Sequence, residues 1–302
     1  MKLIITGALG HIGSYLFRQL LKKDFINQIY LIDNIQSQRF CSLFNLPNNS
    51  KIKFIDMDLS KKYIDFKADI ILHFAAKTDA AQSHKYEKEF SKNRKITNNI
   101  INYCNKYKVK MIFASSTSVY GPQDNIVNEN CSNKDLKPQS PYASVKLKEE
   151  KDIIKKCNYS YLILRLGTIY GFSEGIRFHT AVNKFCFQAC QGLPITVWKT
   201  ALYQKRPYLS LNDLNRSILH IIEKNLIKNK IYNLVSDNYT VKEIINSIEL
   251  SFKNVQIKFV NHKIMNQLSY VVETKKFTST NFNFKPNLLI NIKKTINKLS
   301  HF

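Results

Sequence analysis

The sequence predicts an α/β protein: a parallel, doubly wound sheet followed by a smaller C-terminal α/β lobe. Three observations predict it. An apolar strand candidate at the N-terminus runs directly into a glycine-rich turn and an apolar-periodic helix, strand and helix candidates then alternate as far as Gly171, and beyond that point the pattern breaks into shorter pieces. Alternating β and α segments bury a parallel sheet between helical layers, because each crossover helix must lie on one of its faces.

In chain order, Lys2 to Thr6 (KLIIT) is the first strand, and Gly7-Ala8-Leu9-Gly10-His11-Ile12-Gly13 opens a helix marked by Tyr15, Leu16, Leu20 and Leu21. Glycine permits a tight turn and close backbone approach, and a helix N-terminus offers unpaired N–H groups to an anion, so this is a Rossmann-type phosphate cradle. Its spacing is G-x-x-G-x-x-G rather than G-x-G-x-x-G. A second strand, Gln28 to Ile32, ends in Asp33, where a carboxylate can accept from the ribose hydroxyls of NAD and repels the 2′-phosphate of NADP. NAD is therefore the expected cofactor.

A third strand, Lys51 to Ile55, leads to Asp56-Met57-Asp58-Leu59, and a fourth, Ile70 to Phe74, leads to Ala75-Ala76-Lys77, whose small residues let a cofactor lie against the backbone. His73, at the end of an apolar strand, reads as a satisfied core histidine. Lys85 to Tyr107 is helix-compatible, with Ile96, Ile100, Ile101 and Cys104 as its buried stripe and Asn93 and Thr97 one turn apart. The stretch beginning at Met111 (MIFASSTSVYG) brings Ser115 and Ser116 to a strand end, and SPYASVK places Tyr142 and Lys146 on the helix Pro141 to Lys156. Residues four apart share a helix face, so Tyr142 and Lys146 can point where Ser116 points, a layout for moving a proton and a hydride.

A strand from Tyr159 to Leu166 and the segment to Tyr170 complete a cofactor lobe over 1–170. The remainder, 171–302, reads as a substrate lobe, with 208–236 returning to the first. It holds a helix carrying Phe185, Phe187 and Cys190, a strand Pro194 to Trp198, a run from Gln204 into a helix ending at Lys224, and a strand Ile231 to Val235. A helix Val241 to Phe252 capped near Thr240, a strand Gln256 to Val260 and a Lys/Asn-rich tail follow.

Composition narrows the function classes. No apolar run approaches the roughly 20 residues of a membrane span, and the N-terminus is too quickly charged for a secretory signal, so the cytoplasm is the expected compartment. Six scattered cysteines with no C-x-x-C pair point to reduced thiols, and no metal site is indicated. The net charge of +24 is spread along the whole chain without a block of five or more cations, a weak cue for nucleic acid and a field that would attract a small anionic substrate.

These pieces together resemble the nucleotide-sugar epimerase/dehydratase group of extended short-chain dehydrogenases/reductases. TGALGHIG (6–13), LIDN (31–34), DMDL (56–59), HFAA (73–76), SSTSVYG (115–121), SPYASVK (140–146), LRLGTIYG (164–171) and KRPYLSLNDL (205–214) fall in that family's order. The resemblance implies that Gly7, Gly10, His11, Ile12 and Gly13 hold the NAD pyrophosphate, that Asp33 and Asn34 meet the ribose, and that Asp58 and Leu59 flank adenine. Phe74, Ala75, Ala76, Lys77 and Leu166 would line the path to nicotinamide, where Tyr142 and Lys146 also meet the cofactor. On the substrate side it implies Thr78, Ser116, Thr168 and Arg206. Homodimerisation through the helices 85–107 and 141–156 is a further implication.

The chemistry follows from the residue types. Tyr142 would take a proton from a sugar hydroxyl while Ser116 bonds the developing carbonyl oxygen, and because a free phenol is a poor base near neutrality, the Lys146 ammonium would activate it. Relatives that dehydrate sugars resemble T-D-E where this chain has Ser116-Thr117-Ser118, and decarboxylases keep a glutamate in place of Ser118. With both acids absent, 4-epimerisation is the expected reaction, and net reduction of a keto sugar is the alternative. A non-catalytic scaffold using its basic surface is a third reading, disfavoured by the complete Ser, Tyr and Lys set. Thr168 stands where many relatives have an asparagine, and 175–187 lacks their asparagine-rich pattern, which points to an unusual substrate.

Overall fold

The structure, a computed structural model, describes residues 1–46, 50–123, 126–252, 254–261 and 269–300. The chain begins β1 (Lys2–Thr6), α1 (His11–Leu20), β2 (Gln28–Asp33), β3 (Ile52–Asp56) and β4 (Ile70–His73). A single turn α2 (Ala80–Ser83), α3 (Glu87–Tyr107), β5 (Lys110–Ser116), α4 (Pro141–Lys156) and β6 (Tyr161–Leu166) come next. Then follow β7 (Thr168–Tyr170), α5 (Ala181–Cys190), β8 (Ile195–Trp198), β9 (Lys205–Ser210), α6 (Leu211–Glu223) and β10 (Lys230–Leu234). The last elements are β11 (Asp237–Thr240), α7 (Val241–Glu249), β12 (Ile257–Val260), α8 (Lys275–Thr278) and α9 (Leu288–Leu299).

Seven strands form one parallel sheet in the order β10-β6-β5-β4-β1-β2-β3. Successive side chains of a strand point to opposite faces, and β1 shows the result. Leu3 and Ile5 join Leu16, Phe17, Leu20, Leu214 and Ile218 of α1 and α6. Ile4 joins Ile100, Ile101, Cys104 and Ile153 of α3 and α4 on the other face. The chain builds outward from β1 to β3 and then crosses to β4 on the far side of β1, so the strand order reverses between β1 and β4. In open α/β sheets a crevice opens beyond the carboxyl ends of the strands at such a reversal, and ligands bind there.

The remaining strands make a three-stranded sheet, β11-β9-β7, and a β12-β8 pair. A separate core of Tyr170, Val182, Phe185, Ile195, Ile244, Ile248, Ile292 and Ile296 holds them to α5, α7 and α9. β10 pairs in parallel with β6, which returns residues 230–234 to the main sheet.

Elements of the C-terminal half differ from the sequence expectation. The Lys/Asn-rich tail folds as α8 and α9, and α9 buries Leu288, Ile292, Thr295 and Ile296 as a stripe at helical spacing, with Asn287 as its cap. The lysines and asparagines on its outer face conceal that stripe in the composition. The run at 205–210 is the central strand of the three-stranded sheet, and 237–240 its edge. Such short strands with half-polar sequences carry too little periodicity to declare themselves.

Candidate active site

The loop after β1 is shaped by backbone contact. Gly7 has φ +67°, and a Cβ there would lie 2.8 Å from the Cα and N of Ala75. At Gly13 a Cβ would lie 2.5 Å from the Gly7 carbonyl oxygen. Glycine is required at both because nothing larger fits the approach of loop to loop. Gly10 caps α1 without a side-chain partner, and no acidic residue stands in the first turn, so the free N–H groups of that turn face the crevice.

The crevice is a cavity of about 680 Å³ lined by Gly7, Gly10, His11, Ile12, Gly13, Asp33, Asn34, Asp58, Leu59, Phe74, Ala75, Ala76, Lys77 and Thr78, all predicted from sequence. Asp33 Oδ2 accepts from the Leu9 amide at 3.0 Å and Oδ1 from the Ile35 amide at 3.1 Å, which fixes the carboxylate beside the glycine loop. The Asp58 carboxyl is held below its ordinary range: burial raises it, but hydrogen bonds from the Ser60 hydroxyl and amide outweigh that. Asn93 clamps the far wall by accepting from the Lys77 amide and donating to its carbonyl, both at 2.9 Å. A glycine cradle that no Cβ can enter, a free helix N-terminus and a fixed carboxylate make a donor set that fits a dinucleotide with unphosphorylated ribose.

His73 is a core residue as predicted, 2% exposed and bonded to Thr6 and Thr97. His11 is also buried, with Nε2 2.8 Å from the Gly171 carbonyl, and burial followed by the charge of Arg177 holds its pKa down at about 3. It is therefore neutral and ties the phosphate loop to the second lobe.

Ser116, Tyr142 and Lys146 do not line the cavity itself; they stand next to it. In parallel register His73 pairs with Phe113, so the end of β5 carries Ser116 alongside the Phe74–Ala75 wall. Ser115 is buried and donates to Glu150 at 2.5 Å, whereas Ser116 Oγ accepts from the amide and hydroxyl of Ser118. Ser140 caps α4 and Pro141 sets its first turn, orienting Tyr142, whose ring meets Phe90 of the cavity wall edge-on at 6.3 Å. Lys146 is 4% exposed, with Nζ 4.5 Å above the Phe113 ring and 3.1 Å from Glu149 Oε2. Leu166 is buried in the sheet in register with Ser116, and its carbonyl accepts from Thr117.

The second lobe contributes cations. Arg206 on β9 keeps Nε and Nη2 buried without a hydrogen-bond partner among the described residues. The Tyr270 hydroxyl contacts Thr117 Oγ1 at 3.3 Å and interacts electrostatically with both Arg206 and Tyr142, so it connects the two regions. Thr168 pairs with Tyr208 in the β7–β9 register. Among the wall residues that escaped the sequence reading are Arg39, Arg177 and His179. Arg177 donates to Thr78 and interacts with Tyr142, and burial lowers its pKa to about 10. Arg39 donates to the Gly175 carbonyl at 2.8 Å. Each is an isolated basic residue in a connection without periodicity; the missing asparagine pattern at 175–187 was the one available signal.

This fold and cavity define a dinucleotide-dependent α/β enzyme, with Ser116, Tyr142 and Lys146 standing beside the cavity. The chain belongs to the NAD dependent epimerase/dehydratase family, whose profile matches residues 3–234. A Bacillus subtilis protein described as an uncharacterized UDP-glucose epimerase is 30% identical over 237 residues, covering 74% of this chain and 73% of that one. Human dTDP-D-glucose 4,6-dehydratase is 26% identical, covering 98% and 89%. Among solved structures, the Bacillus cereus UDP-glucuronic acid 4-epimerase in complex with UDP-glucuronic acid and NAD superposes with a TM-score of 0.87 at 24% identity, covering 99% of each chain.

Proposed function

We propose that the protein is an NAD-dependent nucleotide-sugar 4-epimerase. One observation carries the choice among the family's reactions: the positions after Ser116 hold Thr117 and Ser118 rather than an acid, and among the described residues the carboxylates of Glu149 and Glu150 on α4 are already paired. Thr117 is engaged by Leu166 and Tyr270, Ser118 donates to Ser116, Glu150 is clamped by Arg165 in a bidentate pair, and Glu149 is paired with Lys146. Elimination of water needs a proton donor that these residues do not supply, whereas epimerisation needs only a base that takes a hydroxyl proton and gives it back.

Tyr142 is that base, Lys146 supports its phenolate, and Ser116 donates to the carbonyl oxygen that forms on the sugar. The residues Gly7 to Gly13, Asp33, Asn34, Asp58, Leu59 and Phe74 to Lys77 would hold NAD, with Leu166 behind the nicotinamide region. NAD bound there would supply a reversible hydride acceptor for the sugar carbon. Arg206, whose guanidinium has buried unpaired donors, suits the substrate diphosphate, since a planar fork matches phosphate oxygens. Thr78 and Thr168 complete the substrate contacts. The same reading assigns 1–170 to the cofactor and 171–302 to the substrate, with 208–236 rejoining the first lobe, and it includes a homodimer built on α3 and α4 and a cytoplasmic location. Among the described residues, no helix is long and apolar enough to cross a membrane.

The test is turnover with a panel of UDP-, dTDP-, GDP- and CDP-sugars while NADH absorbance is followed. An epimerase converts the sugar without net change in NADH; stoichiometric oxidation of added NADH by a nucleotide-linked keto sugar, with no epimerisation of the panel, would instead establish a keto-sugar reductase. Tyr142→Phe should lose roughly 10²–10⁴-fold in kcat while still binding NAD, and undiminished turnover would rule the mechanism out.

A further inference from the structure

The Lys146 ammonium does not stand alone: a buried, one-directional hydrogen-bonded chain ends at its counter-ion. The Ala75 amide donates to Thr6 Oγ1 at 3.2 Å, and Thr6 Oγ1 lies 2.7 Å from His73 Nδ1. His73 Nε2 lies 3.1 Å from Thr97 Oγ1, and the Thr97 hydroxyl donates to Glu149 Oε1 at 2.5 Å. Glu149 Oε2 then lies 3.1 Å from Lys146 Nζ, an ion-pair contact without hydrogen-bond alignment.

Because Thr97 gives its only proton to Glu149, its oxygen must accept from His73 Nε2–H, which leaves Nδ1 to accept from Thr6. Every donor thus points toward Glu149, whose Oε1 closes the chain as acceptor and whose Oε2 is left facing the Lys146 ammonium. Thr6 and Thr97 are fully buried, and His73 and Glu149 are 2% and 1% exposed, so solvent cannot substitute for these four members.

Such a carboxylate has a functional consequence. An ammonium favours the phenolate of a nearby tyrosine, and an anion paired with that ammonium cancels part of the effect. We propose that Glu149 is a positioning residue: it holds Lys146 in place and attenuates its field at Tyr142, setting the pH range over which Tyr142 serves as base. This rests on the reading of Tyr142 and Lys146 given above.

The surrounding groups leave this role to Glu149. From β5, Phe113 presents its ring to Lys146, and from β4 the neutral His73 faces it. From α3, Phe90 meets Tyr142, and Arg177 and Tyr270 interact with Tyr142 from the second lobe, with Arg206 acting through Tyr270. Glu150 faces Arg165 instead. Among the described residues, Glu149 is the carboxylate paired with this ammonium.

The test is Glu149→Gln, which keeps shape and an acceptor for Thr97 but removes the charge. Tyrosinate absorbance is titrated against pH with and without NAD, and subtraction of the matching Tyr142→Phe background isolates the step belonging to Tyr142. The acidic limb of kcat against pH is measured with UDP-glucose and the other sugars of the panel. Both midpoints should move to lower pH by about one unit or more. Glu149→Asp, which keeps the charge but draws it back by one methylene, should move them the same way by less, and decides the matter if the glutamine variant does not fold. Unmoved midpoints, with only a uniform loss of kcat or of thermal stability, would overturn the proposal and leave Glu149 a structural ion pair. Retained turnover in Tyr142→Phe would instead remove the underlying reading, whatever Glu149 does.

Discussion

Tyr142, Lys146, Glu149 and Glu150 lie within nine residues of one helix, yet each meets a different partner. Tyr142 meets Phe90, Lys146 meets Glu149 and Phe113, Glu149 meets Thr97, and Glu150 meets Arg165 and Ser115. The pairing keeps buried charges matched, as their desolvation demands. Arg206 departs from this pattern: two of its nitrogens are buried and unpartnered among the described residues, and an anion reaching them recovers charge-assisted hydrogen bonds. Arg206→Gln should therefore raise KM for a nucleotide sugar by roughly 10-fold or more with little change in NAD affinity. Steady-state kinetics and an NAD binding titration on the same variant check both halves.

At the level of elements, two short pieces position the site. The loop from β1 to α1 is fixed against Phe74 and Ala75, so Gly7→Ala forces both a positive-φ penalty and a backbone clash. Its strain should cost about 1–3 kcal/mol in urea unfolding and abolish tight NAD binding by calorimetry. The C-terminal α9 contributes differently, by closing the core of the second lobe over α5 and α7. Ile292 is fully buried there, and Ile292→Ala should destabilise the protein by about 2–5 kcal/mol. A denaturation midpoint close to the parent's would mean that α9 is peripheral to that core.

The whole molecule should be sensitive to acid. His11 and His73 are buried and neutral, each with its pKa held down at about 3, mainly by desolvation. An unfolded histidine titrates near 6.5, so between that value and 3 the unfolded chain binds more protons than the folded one. Stability from these sites is complete above about pH 6.5 and declines as the pH falls. At pH 5 each histidine should have cost about 2 kcal/mol relative to neutral pH, a loss visible as a falling urea midpoint. A flat midpoint from pH 7 to 5 would contradict their neutral burial. The net charge of +24 adds self-repulsion in the same direction and should make substrate capture weaken as salt rises.

The sequence by itself determined the parallel sheet, the glycine cradle with Asp33 beside it, and the placing of Ser116 at a strand end and of Tyr142 and Lys146 on one helix. Those features are local: a strand, a turn and a helix face are written in residues a few positions apart, and their spacing survives in one dimension. It also determined the absence of an acid at Thr117 and Ser118. Tertiary structure alone decided which groups from distant segments complete the site. Arg39, Arg177 and His179 come to the cavity wall, and Tyr270 comes to Thr117, through loops with no periodicity to read. The α9 stripe is hidden by its lysine and asparagine outer face, and becomes a core only when α5 and α7 cover it. Glu149 shows the same division. Its place on the helix is plain from spacing, but that it faces both Lys146 and Thr97 depends on α3 packing against α4, a contact set by burial between segments some fifty residues apart.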